Sequence, residues 1–286
     1  MKKGLLIYKK QDYELNKTYA SMLIEYGKSH HMQVQLVLYE DIQYGVDQEG
    51  LWIQHQGQKI GEIDFVINRS RESMLSRHLE WMNIKVFNSY EVTHLANHKG
   101  RTHQFISHIG IPALKTLFWN ATYMTTEYIP FEYPFVIKAP EGHGGTEVFV
   151  VHHLKEVEQI LEKYPYKEWI FQQLCLHTGE DVRVFIIGGK IIGAIRRFSK
   201  TDFRANYCLG GEIEWYELSQ KEKELVEKIL AHLVCDYVGI DFIIDEKGDF
   251  IFNEIEDAVG SRSLYTLKKV DTARLYMEHI AKCMDQ

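Results

Sequence analysis

Three acidic residues near the end of the chain have the types and spacing of a metal site. Asp241 lies in the apolar run 238–245, and Glu254 and Glu256 close a second apolar run. The short turn between the runs predicts two adjacent strands, and side-chain alternation puts Glu254 and Glu256 on one face. Antiparallel pairing would add Asp241 to that face. Converging carboxylates need a cation, and oxygen ligands suit Mg²⁺, with Mn²⁺ as a substitute; a solvated hairpin face is the alternative.

A glycine-rich loop lies between two predicted strands further upstream. It does not have the P-loop pattern, but glycines let backbone amides approach phosphate oxygens, and a simple tight turn is the alternative. Lys138 precedes the loop in an otherwise apolar strand. Because lysine is rarely buried without a partner, an anionic ligand is expected near it. The loop consists of Gly142, His143, Gly144, Gly145 and Thr146.

Arginines gather near the ends of predicted strands. Arg69 and Arg71 follow the apolar run that ends at Asn68, the position where α/β proteins form ligand crevices. The planar guanidinium grips carboxylate or phosphate through two parallel hydrogen bonds, so the arginines suggest an anion site. For any single arginine, surface solubility is the alternative. The remaining candidates are Arg183, Arg196, Arg197, Arg204 and Arg262.

The elements that would carry these residues follow from the hydrophobic pattern. The first ninety residues alternate between strand and helix patterns, which predicts a small α/β unit with a parallel sheet. A Gly/Gln-rich stretch at 45–62 predicts a hairpin excursion. Gly188 and Gly189 separate two apolar runs, which predicts a tight hairpin with positive φ. Helices are expected at about 99–108, 154–164, 220–235 and 271–283.

Size and composition narrow the class of protein. The chain has 286 residues, 45% of them hydrophobic, which is typical of a globular protein. The net charge of −7 argues against nonspecific nucleic-acid binding, and no apolar run is long enough for a membrane helix. The four cysteines are widely scattered, which indicates a reducing cytoplasm. A homo-oligomer is the default expectation.

The order of these features resembles the ATP-grasp superfamily, and within it the RimK-like amino-acid ligases. The resemblance runs from about residue 88 to 264, and its most specific stretches are Asp181-Val-Arg183, Asp202-Phe-Arg204-Ala-Asn206, Gly239-Ile-Asp241 and Asn253-Glu254-Ile-Glu256. It implies an α/β (α+β) ATP-grasp fold in which two α+β subdomains hold ATP between them. The expected division is a small α/β pre-ATP-grasp domain at 1–90, a small subdomain with the glycine-rich loop at 91–174 and a large subdomain with the Mg²⁺ site at 175–286.

The resemblance also assigns roles to individual residues. Lys99 and Lys138 would contact the phosphates of ATP, and the glycine-rich loop would fold over them. Arg197 and Arg204 would act in catalysis by clamping the reacting carboxylate. Two Mg²⁺ ions would bind Asp241, Glu254 and Glu256. The remaining nucleotide contacts would be the hinge Gln172, Gln173 and Leu174, together with Asp181, Arg183 and Asn206; the substrate contacts would be Arg69, Arg71, Arg196 and Arg262.

The chain departs from the family pattern at two places. Glu256 stands where the family usually has asparagine, which keeps a metal ligand and adds negative charge. The family's Pro-Gly turn is missing after it and is replaced by residues 257–262. Because that segment would border the acceptor site, the substrate is not expected to follow from better-known members.

The activity that the resemblance implies is ATP-dependent ligation of a carboxylate to an amine through an acyl phosphate. The partners would be ATP, a carboxylate substrate and an amine from an amino acid, a peptide or a protein tail. Two other hypotheses remain: a phosphotransferase on the same scaffold, and a nucleotide-binding module without turnover. A stable phosphorylated product would indicate the first, and ATP affinity without ADP production the second.

Overall fold

The structure is a computed structural model that describes residues 1–142, 147–164, 168–175, 179–198 and 212–286. No helix within these ranges combines the length and apolar character needed to cross a membrane. The strands are β1 (Lys2–Tyr8), β2 (Met32–Leu38), β3 (Ile42–Asp47), β4 (Gly50–His55), β5 (Gln58–Lys59), β6 (Phe65–Asn68), β7 (Lys85–Phe87), β8 (Thr116–Asn120), β9 (Phe135–Lys138), β10 (Val148–Val151), β11 (Glu168–Gln173), β12 (Glu180–Ile187), β13 (Lys190–Phe198), β14 (Glu212–Trp215), β15 (Tyr237–Ile244) and β16 (Phe250–Asp257). The helices are α1 (Lys10–Ser29), α2 (Ser73–Trp81), α3 (Tyr90–Ala96), α4 (Lys99–His108), α5 (Leu154–Lys163), α6 (Gln220–Leu230), α7 (Arg262–Thr266) and α8 (Thr272–Met284).

The N-terminal segment forms the parallel sheet that its alternating pattern predicts. Its strand order is β2-β1-β6-β7, and every pair in it is parallel. The stretch at 45–62 contributes to a separate antiparallel sheet of β3, β4 and β5, which confirms the hairpin excursion. Strand β6 ends at Asn68, so Arg69 begins the loop at the carboxyl edge of this sheet.

A second sheet carries Lys138. It has the order β10-β9-β11-β8 and is antiparallel throughout. Its apolar face buries large aromatic side chains, including Trp119, Phe135, Trp169 and Phe171. Lys138 is the last residue of β9, so its side chain stands at the edge of this apolar layer and next to the base of the glycine-rich loop.

The third sheet has the order β14-β13-β12-β15-β16 and is also antiparallel. Gly188 and Gly189 join β12 to β13 with φ values of 56° and 70°, which confirms the predicted hairpin. Along β12, Phe185 and Ile187 pack into the core shared with the N-terminal sheet, whereas Val182, Val184 and Ile186 pack beneath α6. Alternation along the strand therefore places Asp181 and Arg183 on the same face as Phe185.

Three helices differ from the expectation. The structure has two short helices, α3 and α7, that the sequence pattern did not predict, and the Ser89 side chain caps the N-terminus of α3. Helix α6 ends at Leu230 instead of continuing to about 235. The His232 N–H bonds back to the carbonyl of Ile229, three residues earlier, so the last turn tightens and the α-helical ladder stops.

Asn88 joins the first sheet to the third. Its side-chain amide donates to the carbonyl of Tyr237 at 2.7 Å and to the carboxylate of Asp257 at 2.7 Å. Its carbonyl oxygen accepts from the backbone N–H groups of Asp236 and Tyr237. Asn88 is 2% exposed, so these four bonds satisfy groups that water cannot easily reach.

Replacing Asn88 by alanine should therefore lower the free energy of unfolding by about 2–4 kcal/mol, because buried donors and a carboxylate lose their partner. Urea denaturation followed by circular dichroism measures the change. The exposed Gln48→Ala variant is the control and should change the free energy by less than about 0.5 kcal/mol. An Asn88→Ala loss as small as that of the control would show that this junction does not hold the sheets together.

Candidate active site

One face of the third sheet gathers the acidic residues. Asp241 on β15 lies opposite Glu254 on β16, and Gly239 lies opposite Glu256. Oxygen atoms of the three carboxylates lie within 4.8 Å of one another. Asp241 is 2% exposed, and Glu254 and Glu256 are half-buried. The predicted convergence of the three carboxylates is confirmed, and the solvated hairpin face is excluded.

Two buried arginines hold these carboxylates. Arg183 lies opposite Asp241 on β12 and bonds it through two parallel contacts, Nε–Oδ1 and Nη2–Oδ2, both at 2.7 Å. Its Nη2 also reaches Glu256 Oε1 at 2.6 Å. Arg197 on β13 binds both oxygens of Asp181, at 2.6 and 2.5 Å, and Oδ2 of Asp241 at 2.7 Å. The network thus links four adjacent strands, β13, β12, β15 and β16, by charge-assisted bonds.

The carboxyl groups in this network differ in their pKa values. Burial would raise the pKa of Asp241, but Arg183 and Arg197 outweigh burial and bring it down to about 2. Burial raises the pKa of Asp181 to about 6, although Arg197 opposes the shift. Burial also raises the pKa of Glu256. Asp241 therefore stays ionised at neutral pH, and of these carboxyl groups it is the one that most readily keeps the negative charge of a metal ligand.

Two lysines contact residues of β16 in this cluster. Lys99, the first residue of α4, places Nζ 2.9 Å from Glu254 Oε1 and also bonds the carbonyl of Gly142. Lys138 Nζ bonds Gln172 Oε1 at 2.7 Å and Asn253 Oδ1 at 3.3 Å. Burial outweighs Glu254 and lowers the pKa of Lys138 to about 8. These contacts join the base of the glycine-rich loop, both lysines and the acidic strands in one site, which we call the cleft.

Gln172 fixes Lys138 through a buried chain of hydrogen bonds. Its amide nitrogen lies 3.0 Å from Thr116 Oγ1 and 3.1 Å from His103 Nε2. Burial, assisted by Lys138, lowers the pKa of His103 to about 4, so the ring is neutral at pH 7 and its Nε2 accepts a hydrogen bond from the amide N–H of Gln172. The side chain of Gln172 is directed toward Lys138, whereas Gln173 is exposed and Leu174 half-buried at the predicted hinge.

The formal charges of the acidic and basic side chains in the cleft cancel before any ligand binds. The three carboxylates offer hard oxygen ligands close together, which Mg²⁺ requires. A nucleoside triphosphate with two Mg²⁺ ions is itself nearly neutral, so its arrival would preserve the balance. The residues present therefore fit the metal. The acidic members are Asp181, Asp241, Glu254 and Glu256, and the basic members are Lys99, Lys138, Arg183 and Arg197.

A glycine provides the space for this arrangement. Gly239 precedes Asp241 by two residues on β15. A Cβ at this position would lie 2.7 Å from Val259 Cγ2 and 3.4 Å from Arg183 Cδ. A larger residue would therefore push the arginine and the segment after β16 apart.

Arg69 and Arg262 come together at a neighbouring cavity of about 520 Å³. Arg69 is 5% exposed, and its Nη2 donates to the carbonyls of Ala258 and Val259 at 2.9 and 3.0 Å. Its guanidinium lies 5.1 Å from the ring centre of Tyr19. The cavity wall formed by residues 259–262 belongs to the segment that replaces the family's Pro-Gly turn.

Two other arginines do not reach this cavity or the carboxylate cluster. Arg71 forms an ion pair with Asp12 at 2.5 Å. Arg196 bonds Glu180 at 2.5 Å and Glu214 at 2.9 Å. Because adjacent strand residues point to opposite faces, Arg196 faces away when its neighbour Arg197 faces Asp241. The expected substrate contact of Arg196 is therefore not supported by its position.

Several predicted residues lie outside the part of the chain that the structure describes. They are His143, Gly144, Gly145 and Thr146 of the glycine-rich loop, and Arg204 and Asn206. Their roles remain predictions. Asp181 is described, and the contact seen there is with Arg197, so its expected position near the ribose also remains a prediction.

Two residues of the cleft were missed in the sequence. His103 lies four residues after Lys99 on α4, a spacing that puts both side chains on one helix face. Asn253 lies beside Glu254 at a register shift between β15 and β16, which turns it toward Lys138. The helical spacing could have identified His103, whereas the register shift gives no signal in the sequence.

A family model and several known proteins match most of the chain. Residues 91–280 match the RimK-like ATP-grasp domain. The uncharacterized protein MG011 of Mycoplasma genitalium is 29% identical over 269 residues, which cover 93% of this chain and 88% of that protein. Human beta-citrylglutamate synthase B is 30% identical over 219 residues, which cover 73% of this chain and 56% of the synthase. The match to the synthase therefore leaves much of its length outside this chain.

The fold is shared with solved ligase structures. The VanG D-Ala:D-Ser ligase from Enterococcus faecalis superimposes with a TM-score of 0.77 at 18% identity, covering 99% of both chains. A RimK domain protein from Sphaerobacter thermophilus superimposes with a TM-score of 0.73 at 16% identity, covering 97% of this chain and 99% of the other. Together with the matched domain, which spans most of the chain, these similarities show that the protein belongs to the RimK-like ATP-grasp family of carboxylate–amine ligases.

Proposed function

We propose that the protein joins a carboxylate to the amine of an amino acid or peptide, using ATP and two Mg²⁺ ions, with Mn²⁺ as a possible substitute. The observation that carries the proposal is the convergence of Asp241, Glu254 and Glu256 within 4.8 Å, facing Lys99 and Lys138 across one cleft. The N-terminal parallel sheet, the second sheet and the third sheet support the division into domains at 1–90, 91–174 and 175–286, and the scattered cysteines support a cytoplasmic location.

The first half-reaction is transfer of the γ-phosphoryl group to the carboxylate substrate. Bound Mg²⁺ would neutralise charge on the transferring phosphoryl group. Lys138 and Lys99 would hold the phosphate oxygens in place, since both ammonium groups are directed into the cleft. Gln172 would keep Lys138 oriented when the phosphates arrive. The loop Gly142–Thr146 would close over the phosphates and exclude water, which would otherwise hydrolyse the acyl phosphate.

The second half-reaction is attack of the amine on the acyl phosphate, with release of phosphate. Arg197 is held rigidly by two aspartates, and with Arg204 it would stabilise the oxyanion that forms on the acyl carbon. Rigid positioning matters because a guanidinium that must reorganise during the reaction contributes less to stabilising the oxyanion.

The cavity beside Arg69 favours an amine substrate that also carries a carboxylate group. A buried guanidinium is costly unless an anion or several acceptors satisfy it, and the acceptors seen for Arg69 are two carbonyl oxygens. Arg262 adds a second cation to the same wall. The human relatives beta-citrylglutamate synthase B and N-acetylaspartylglutamate synthase A are named for products that contain glutamate. An acidic amino acid is therefore the first amine to test.

Hydroxylamine trapping tests this function. The protein is incubated with ATP, Mg²⁺, hydroxylamine and a panel of acids that includes N-acylated amino acids, di- and tricarboxylates and short peptides. Formation of a hydroxamate together with ADP and phosphate supports an acyl phosphate. A stable phosphorylated product without free phosphate would indicate a phosphotransferase instead. ATP binding without ADP production across the panel would contradict both.

The pKa of Lys138 predicts a pH dependence. Lysine is cationic below its pKa, and the pKa of this group is about 8 in the free protein. The value of kcat/KM for ATP should therefore fall as the pH rises above about 8, by up to tenfold per pH unit, because this parameter reports the free enzyme. Lys138→Arg, which stays protonated, should remove the alkaline decline even if its overall rate is lower. An alkaline limb unchanged in that variant would assign the decline to another group.

A further inference from the structure

A second group of metal-ligating side chains lies away from the catalytic cleft, at the end of the third sheet that carries the Gly188-Gly189 turn. It consists of Asp236, just before β15, and His279 and Cys283 on α8, whose ligand atoms all lie within 4.8 Å of one another. Asp236 precedes Asp241 by five residues, which corresponds to about 17 Å along a strand. We propose that this Asp-His-Cys cluster binds a divalent cation of the zinc class.

The distances in the cluster are close to those that such a cation requires. His279 Nε2 lies 2.7 Å from Asp236 Oδ1 and 3.7 Å from Cys283 Sγ. Zinc bonds of about 2.0–2.3 Å in tetrahedral geometry separate neighbouring ligand atoms by roughly 3.3–3.6 Å. The sulfur is therefore already near its place. The carboxylate would move from a direct hydrogen bond by less than about 1 Å to admit the ion.

The surrounding structure holds the ligands in position. His279 and Cys283 are four residues apart on α8, so they share one helix face. The Asp236 N–H donates to Asn88 Oδ1 at 2.7 Å, and the Asp236 carbonyl accepts from the Gly188 N–H at 2.8 Å. At Gly188 a Cβ would lie only 2.6 Å from His279 Nδ1, so the glycine leaves room for the imidazole ring. Fixed backbone and oriented side chains lower the cost of binding.

The chemistry of the three ligands favours a borderline or soft metal. Thiolate and imidazole prefer zinc and similar ions to Mg²⁺ or Ca²⁺, which prefer oxygen. Three protein ligands leave a fourth position for water or another group. The side chains of Asp236 and His279 are 21% and 20% exposed, so an ion can enter from solvent. On binding, the thiol proton of Cys283 is released to solvent as the sulfur–metal bond forms.

A cysteine next to a histidine and an aspartate could also suggest a nucleophile. Two observations disfavour that role. Cys283 Sγ is nearly equidistant from both ring nitrogens of His279, at 3.8 and 3.7 Å, so the thiol is not aligned with one nitrogen that could act as its base. Burial also raises the pKa of this thiol, which leaves little thiolate for attack. A metal ion would instead join α8 to the start of β15. The N-terminal sheet also contacts this end of α8, because Lys85 Nζ donates to the carbonyl of Cys283 at 2.7 Å.

Cobalt substitution tests the proposal on the intact chain. Tag-free protein is stripped with a chelator and titrated with Co²⁺ in oxygen-free buffer. We expect a thiolate-to-cobalt charge-transfer band that saturates at one ion per chain and is bleached by Zn²⁺. Zn²⁺ should also raise the melting temperature of the stripped protein by several degrees, because the ion binds only the folded state.

Variants of the proposed ligands, compared with control variants elsewhere in the chain, show which residues produce the charge-transfer band. It should vanish in Cys283→Ser and in His279→Gln, and persist in Cys175→Ser, which changes a thiol elsewhere. It should also persist in Glu254→Gln, which alters the carboxylate cluster of the catalytic cleft. The wild-type titration is decisive even if a variant misfolds: a folded wild-type protein without the band would overturn the proposal, as would a band that survives in Cys283→Ser.

Discussion

Replacing Glu254 by glutamine should lower kcat by at least about a thousandfold, which corresponds to about 4 kcal/mol of transition-state stabilisation. The amide has nearly the shape of the carboxylate but lacks its charge. It weakens metal binding and also removes the anionic partner of Lys99 Nζ, which lies 2.9 Å from Glu254. ADP release in the presence of Mg²⁺ and the acid found by hydroxylamine trapping measures the loss, and circular dichroism checks that the variant is folded.

Glu256→Asn is the matched control for this prediction. It changes a carboxylate on the same strand and face to the residue that the family usually has there. Glu256 contacts Arg183 rather than a lysine of the cleft, and an amide oxygen can still bind Mg²⁺. We expect this variant to keep kcat within about tenfold of wild type. Equal losses in the two variants, or a Glu254→Gln enzyme with near-normal activity, would show that the metal assignment is wrong.

Replacing Arg183 by methionine should lower the free energy of unfolding by about 3–5 kcal/mol, because buried Asp241 loses one of its two arginines and Glu256 loses its contact with Arg183. Asp241 would lose two bonds of 2.7 Å and Glu256 one of 2.6 Å. Urea denaturation without divalent ions measures the change. Millimolar Mg²⁺ should restore part of the loss, and more of it than it adds to wild type, since the ion supplies the missing positive charge in the folded state.

Arg196→Met provides the comparison for this second prediction. Arg196 is also a strand arginine with two acidic partners, but its side chain is 37% exposed. Its removal should cost less than about 1 kcal/mol and show no selective response to Mg²⁺. Arg183→Met would contradict the account if it were as stable as Arg196→Met in metal-free buffer.

The sequence could predict which carboxylates converge but not what they contact. Asp241, Glu254 and Glu256 lie on neighbouring strands joined by a short turn, so alternation is enough to bring them together. Arg183 and Asp241 are separated by 58 residues, and nothing local specifies that their strands pair in that register. Tertiary packing decides it, through the apolar residues on both faces of β12.

The adjacent arginines 196 and 197 show the same limit. Alternation requires one of them to face the cluster and the other to face away. Which one does so depends on the pairing of Asp181 with Arg197 across β12 and β13. The structure places Arg197, the arginine that the resemblance assigns to catalysis, against Asp181 and Asp241, whereas Arg196, which was expected to contact the substrate, bonds Glu180 and Glu214. Helix α6 ended early for a comparable reason, since backbone hydrogen bonding rather than residue type stopped it.

The central claim is that the carboxylate substrate is activated as an acyl phosphate in the cleft formed by Lys99, Lys138 and the three carboxylates. The most direct measurement supplies the substrate with its carboxylate oxygens isotopically labelled and examines the released phosphate by mass spectrometry. Attack on the γ-phosphoryl group transfers one labelled oxygen to each phosphate, and that is the result expected. Unlabelled phosphate accompanying amide formation would contradict the account.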